Sequence, residues 1–249
     1  MSLRREASEW LNDFVGKVMA LPALRHEAQW RFRGQENASW DLEPQIDREP
    51  FQNFRRTTTV DDYKTRVSHE NHLLKDFRKT AIPNLPVPIG EDDWIWLAVA
   101  QHHGLATRLL DWTGNPLHAL FFAVEREWRD PDTAKTTNSR VFFYRHSGSS
   151  WQSFRSEGPF CIPELVTFDP PYVSPRIPSQ AGSFTAHPTT PATWKGSLEH
   201  VDVPGALRGP LRRLLLERFQ ISRGSLFPDL DGASARLNLL YSLLRDEEP

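Results

Sequence analysis

A polar-rich run, Gln101-His102-His103-Gly104-Leu105-Ala106-Thr107-Arg108-Leu109-Leu110-Asp111-Trp112-Thr113, lies between the two most apolar stretches of the chain, Trp94–Ala100 and Leu117–Val124. Polar groups taken out of water have to be hydrogen-bonded. So many of them between two buried helices therefore either close a structural network on one another or face a ligand. Acids Glu91, Asp92 and Asp93 suit the positive end of a helix dipole, and Gly104 stops that helix. Pro116 is placed to open a second helix over Leu117–Trp128. Between them, residues 105–115 read as a loop anchored at both ends, the kind of segment on which chemistry is carried. Neither apolar stretch approaches the roughly 20 residues that span a bilayer, so no membrane partner is expected.

The 249 residues suffice for one large domain or two small ones, and 39% hydrophobic with 25% charged residues is a soluble globular balance. A net charge of −2 argues against coating nucleic acid by bulk electrostatics, while leaving room for a local arginine cluster that binds phosphate. Cys161 is the single cysteine. That excludes an internal disulfide framework and a multi-cysteine zinc site, so no metal is predicted, and it fits a reducing, cytoplasmic setting. The N-terminal residues hold no apolar run of the kind a secretory signal needs.

Periodicity predicts an amphipathic N-terminal helix over residues 2–20 and a half-buried strand at Gln29–Arg33 ending on Gly34. A solvated helix follows around Tyr63–Phe77, then an extended linker at Pro83, Pro86 and Pro88. Further on come a central strand at Val141–Tyr144, an irregular proline-rich segment at Pro159–Pro178 and a strand at Gly182–His187. A helix at Leu211–Phe219 and a terminal helix over 232–246, capped by Asp231-Gly232, complete the reading. With no repeat and no convincing linker, the simplest account is one α+β domain over 1–249. Its motif-bearing core covers about 28–235, with short strands in a mixed or antiparallel sheet packed with helices.

Three blocks set arginine beside glycine. In Phe32-Arg33-Gly34-Gln35 the glycine would let a ligand approach the backbone, and the guanidinium is a planar fork for phosphate or carboxylate. The alternative is an arginine paired with a core carboxylate. In the central run, Arg108 and Asp111 could pair with each other, and two imidazoles titrate near neutrality. The third block is Arg176 with Gln180-Ala181-Gly182-Ser183-Phe184. In Leu226–Gly232 two acids suggest a cation site, against which helix capping by Asp231 is set. His69-Glu70-Asn71-His72 lacks the four-residue histidine spacing of metalloproteases and reads as a solvated face. No P-loop, GxGxxG or GxSxG motif occurs.

Together these blocks resemble the FRG domain, named for its (F/Y)RG motif. The likeness runs from Phe32-Arg33-Gly34-Gln35 and Trp40–Pro44, through Gln101–Pro116 and Ala119–Ala123, to Arg176, Gln180–Phe184 and Leu226–Gly232. The resemblance implies a bacterial or phage setting of toxins or antiviral defence. A fainter likeness to ADP-ribosyltransferases rests on Arg33-Gly34 at a strand end and on Leu120-Phe121-Phe122-Ala123. It implies NAD as the nucleotide bound, a transferase activity and a protein or nucleic-acid acceptor. Under it Arg33 and Arg108 clamp phosphates, His102 or His103 serves as acid or base, and an aromatic ring such as Phe122 stacks on nicotinamide. Gly34, Gln35, Gln101, Thr107, Thr113, Arg176 and Gln180 complete the ligand-binding set. Those enzymes also use a glutamate on a later strand, where this chain has Gln180-Ala181-Gly182; Asp111, Glu164 or Glu217 would have to supply the acid. The competing readings are a non-catalytic sensor for a phosphorylated ligand or nucleic-acid end, and a set of purely structural ion pairs. The functional readings require the guanidinium groups of Arg33, Arg108 and Arg176 to converge on one cleft.

Overall fold

The computed structural model describes residues 2–22, 29–48, 51, 60–85, 89–126, 129, 136–171, 176–190 and 192–245; for 60–65, 176–177 and 239–245 it describes the backbone alone. The expected linker prolines Pro86 and Pro88, and Trp128, fall outside these residues.

Helix α1 spans Leu3–Met19, with Ala7, Leu11 and Phe14 buried along one stripe as their helical spacing requires. Strand β1 is Trp30–Gln35 and helix α2 is Val60–Ala81. Helix α3, Asp93–His102, is capped by the Asp92 carboxylate, which accepts from the Trp94 amide at 2.9 Å. Gly104 follows at φ +85°, where a residue with a Cβ would be strained. Strand β2 is Leu109–Thr113. Helix α4, Pro116–Val124, has proline at its first position and an Asn115 cap that accepts from the Leu117 amide at 2.9 Å. Then come β3 (Ser139–His146), β4 (Val166–Phe168), α5 (Arg176–Ser179), β5 (Gly182–Ala186), β6 (Gly196–Val203), α6 (Arg208–Phe219), α7 (Arg223–Leu226) and α8 (Leu230–Arg245).

The strands form one six-stranded antiparallel sheet in the order β4-β5-β2-β1-β3-β6. One buried cluster joins Phe32, Val141 and Phe143 of the sheet to α1, α4 and α6 through residues such as Phe14, Ala119, Phe121 and Leu215. A second packs Trp94, Leu97 and Ala98 of α3 and Leu74 of α2 against Leu109, Val166, Phe168, Phe184 and Ala186. In a third, Leu110, Trp112, Phe142 and Tyr144 meet Leu165 and Trp194. The successive residues Leu109 and Leu110, like Phe142 and Phe143, enter different clusters, as a pleated strand buried on both faces demands. The α+β class and antiparallel sheet anticipated from the pattern are present.

Several elements differ from the expectation. The anchored loop at 105–115 contains β2, an interior strand paired with β5 from Leu109–Ala186 to Thr113–Gly182 and with β1 at Phe32–Thr113. Its polar letters hid a strand because Asp111 and Thr113 sit where the ladder opens onto a cleft. Helix α2 is solvated on one face only: Ser68, Asn71, His72, Lys75 and Lys79 are exposed, while Arg66, Glu70 and Leu74 are buried. Helix α4 ends at Val124, short of Trp128. The proline-rich segment contains β4, and β6 adds a further strand at the sheet edge. Asp231 lies inside α8 rather than capping it; the Asp229 carboxylate accepts from the Gly232 amide at 2.7 Å.

Candidate functional site

Arg33 stands on β1 beside the C-terminal end of β2. The two strands meet at Phe32–Thr113, and the backbone carbonyl of Asp111 accepts from Arg33 Nη1 at 2.8 Å, with the Asp111 carboxylate 3.9 Å away. Asp111 is more than half exposed, so this carboxylate screens the guanidinium only partly. Arg33 Nε is buried without a partner. Burial pushes Arg33 down to about 10, against the pull of Asp111 and with the added repulsion of Arg48. Arg48 follows a short helical turn at Gln45–Asp47 and is anchored by the Glu43 carbonyl, which accepts from its Nε at 2.9 Å. Its pKa is also lowered, chiefly by burial, with Asp111, Glu43 and Asp47 opposing. Two like charges thus share one wall and stay cationic at neutral pH, each still short of a full counter-charge.

These arginines line a cleft of about 350 Å³. It is walled by Phe32–Glu36, Trp40, Gln101, His102, Asp111–Thr113, Phe122, Glu125, Gln180, Gly182–Phe184 and Phe227. A second hollow of about 300 Å³ shares Arg33, Arg48, Gln101 and Asp111 with it. Phe122 and Phe227 meet edge to face at 6.2 Å on one wall. Gln101 is held at both ends of its amide: Nε2 donates to Asp111 Oδ2 at 2.9 Å, and Oε1 accepts from the Thr107 hydroxyl at 2.6 Å. Gln35 donates Nε2 to the Trp40 carbonyl at 3.2 Å, which leaves Oε1 as an acceptor, buried and unpartnered. Thr113 donates its hydroxyl to the Gln180 carbonyl at 2.6 Å, and Gln180 donates Nε2 to the Leu226 carbonyl at 3.1 Å. Those two side chains brace the wall.

Gly34 has a different role from the expected one. A Cβ there would lie 2.0 Å from the Ala119 carbonyl oxygen and 2.5 Å from the Ala123 amide nitrogen, so the missing side chain lets α4 lie directly on β1. The helix, and not a ligand, makes the close approach.

Of the anticipated residues, the structure brings Arg33, Gly34, Gln35, Gln101, His102, Asp111, Thr113, Phe122 and Gln180 to this one cleft. Three lie elsewhere. Arg108 is fully buried, paired with Glu70 of α2 and donating Nη1 to the Pro159 carbonyl at 3.1 Å. It is sealed by an acid and cannot clamp a phosphate, so the expected convergence of Arg33, Arg108 and Arg176 fails at Arg108, and the second arginine on the cleft is Arg48 instead. Thr107 is buried behind Gln101, and His103 is exposed, its ring edge-on to His102 at 4.9 Å and 6.4 Å from Phe77. The Arg176 side chain falls outside the described residues. Glu164 bonds to Ser149 and Lys195, and Glu217 to Arg4 and Arg213, so neither reaches the cleft.

Sequence reasoning missed Arg48, Glu36 and Glu125. Arg48 has no local signal, because it reaches the cleft only through the fold of the 36–48 connection. The glutamates had one: Glu36 directly follows the Phe32–Gln35 motif, and Glu125 comes two residues after Ala123. Glu125 is ion-paired with Arg223, whereas Glu36 has Arg126 at 3.8 Å. Burial raises the Glu36 carboxyl above the ordinary glutamate range, opposed by Arg126, reinforced by Glu125 and opposed by Arg208.

No curated protein and no solved structure matches the chain significantly. The family model of the FRG domain matches residues 28–132, a shorter span than the Trp30–Gly232 over which the motifs extend. That segment supplies Arg33, Arg48, Asp111, Phe122 and both cleft glutamates, while Gln180–Phe184 and Phe227 close the cleft from outside it. Residues 28–132 thus match the FRG-domain family, and this segment builds most of the cleft.

Proposed function

We propose that the cleft binds a nucleotide-bearing small molecule, with NAD as the leading candidate, and that the protein acts on it as an ADP-ribosyltransferase-like enzyme of toxin or defence type. The observation that carries this reading is the Arg33–Arg48 pair. Two partly buried cations on one wall, one with an orphaned Nε, favour an anion that supplies the missing charge. Phe122 and Phe227 offer ring faces and edges to a planar base. The cleft and its neighbouring hollow, about 350 and 300 Å³, suit a two-part ligand with its phosphates between them. His102 stands on the cleft wall, and no metal ligand set exists among the described residues.

Glu36 and Glu125 on the same cleft would repel a polyanionic strand, which favours a small ligand over the nucleic-acid end of the sensor reading. The protein is heated with and without NAD, ADP-ribose or inorganic phosphate, then incubated with labelled NAD and cell extract. Protection by NAD or ADP-ribose and label transfer, both lost in Arg33→Ala, are expected. Protection without any turnover would leave the binding module, and the absence of protection would remove the nucleotide.

A further inference from the structure

We propose that Glu36 and Glu125 are the working carboxylates of the cleft: Glu36 as the base that receives the proton of the attacking hydroxyl, Glu125 as the fixed anion facing the ribosyl carbon. This rests on the nucleotide reading above.

The geometry separates two acids that share one cavity. Glu36 lies just past the end of β1, and Glu125 just past the end of α4. Helix α6 ties their backbones together. Arg208, 1% exposed, donates to the carbonyls of Glu36, at 2.7 Å, and of Arg126. Arg212 donates to the Glu125 carbonyl at 2.8 Å. The carboxylates therefore hang from one rigid frame. Their side chains are treated unequally: Glu125 is committed to Arg223, whereas the cation beside Glu36 is the largely exposed Arg126. One acid held in an ion pair and a second, part-buried one with its proton affinity raised by that burial can take separate roles in one cavity. The charged groups facing Glu36 are Glu125 just past α4, Arg126 beyond it and Arg208 from α6. A second, independent sign of a ligand stands next door. Gln35, only 4% exposed, has its amide nitrogen committed to Trp40, so its buried oxygen still lacks a donor.

In the step, the C1′–N glycosidic bond breaks and its electron pair leaves with nicotinamide, which departs neutral. Positive charge grows on the ribosyl carbon, where Glu125 opposes it. A new bond forms from the oxygen of water or of an acceptor hydroxyl to C1′. Glu36 takes the proton from that oxygen and later returns it to solvent. A base of raised proton affinity serves better near neutral pH than an ordinary glutamate.

The test uses the full chain with NAD, reading binding by calorimetry and turnover by nicotinamide release across pH. For Glu36→Gln, binding within about threefold of the parent is expected, with turnover down roughly 10²–10⁴-fold and the acid limb of the pH profile gone. Glu125→Gln is expected to lower turnover with the acid limb retained. Glu164→Gln, outside the cleft, is the control and leaves both readouts unchanged. Parental turnover in Glu36→Gln, or an acid limb that persists in it, overturns the assignment while the nucleotide reading stands. Failure of the unmodified protein to bind NAD overturns both. If Glu36→Gln melts early, Glu36→Asp replaces it, and an acid limb unmoved in that variant likewise overturns the proposal.

Discussion

Arg33 and Arg108 carry the same guanidinium and meet opposite fates. Arg33 faces a cleft with a carbonyl and a distant, exposed carboxylate for company, whereas Arg108 is enclosed by Glu70 and the Pro159 carbonyl. Substitution separates them. Arg33→Ala is expected to fold normally and weaken NAD binding by about 1.5–3 kcal/mol, roughly ten- to a hundredfold, in calorimetry. Arg108→Ala leaves the buried Glu70 carboxylate with only Arg66, at 3.9 Å, and should lose about 3–5 kcal/mol in denaturant titration. Glu36 gives a pH-dependent outcome. Its folded proton affinity is raised, so the ionised form costs stability above the folded pKa, and the cost vanishes below the ordinary glutamate value, where both states are protonated. Glu36→Gln should therefore raise the melting temperature at pH 7, and the gain should disappear as pH falls through the folded pKa. A gain that grows toward acid would contradict this.

The contact between β1 and α4 is where the element scale decides the cleft. Gly34 removes the Cβ that would otherwise strike the backbone of Ala119 and Ala123, and the helix then holds Phe122 and Glu125 over the strand that carries Arg33. Gly34→Ala should cost about 1–3 kcal/mol or more, because backbone cannot swing aside as a side chain does. Ligand protection should fall with it, since Arg33 and Phe122 would separate. Helix α2 does comparable work from beneath. Its Arg66 and Glu70 join Asp47, at 2.8 Å from Arg66, and Arg108 in a buried cluster of two cations and two anions. Asp47 precedes Arg48, so that cluster fixes the turn from which the second cleft arginine is presented.

Across the whole molecule, Arg208 joins segments far apart in sequence. From α6 it donates to the carbonyls of Glu36, Arg126 and Thr137, bonds that no local pattern could announce. Arg208→Met should orphan these acceptors and cost on the order of 3 kcal/mol or more, a fall of about 6–12 °C in melting temperature. Helices α1, α3 and α4 and strands β1, β3 and β5 were legible in the chain, because their apolar periodicity, caps and glycine or proline stops are local. The (F/Y)RG motif and the central run likewise marked Arg33, Gln101, His102 and Asp111 as residues to watch, whatever they faced. What the chain alone left open was partnership. Whether an arginine is sealed by a glutamate thirty-eight residues away, as Arg108 is, or left facing a hollow beside Arg48, depends on strand order and helix packing. Burial and charge pairing are set by neighbours in space, and only the folded sheet with its covering helices decides which neighbours those are.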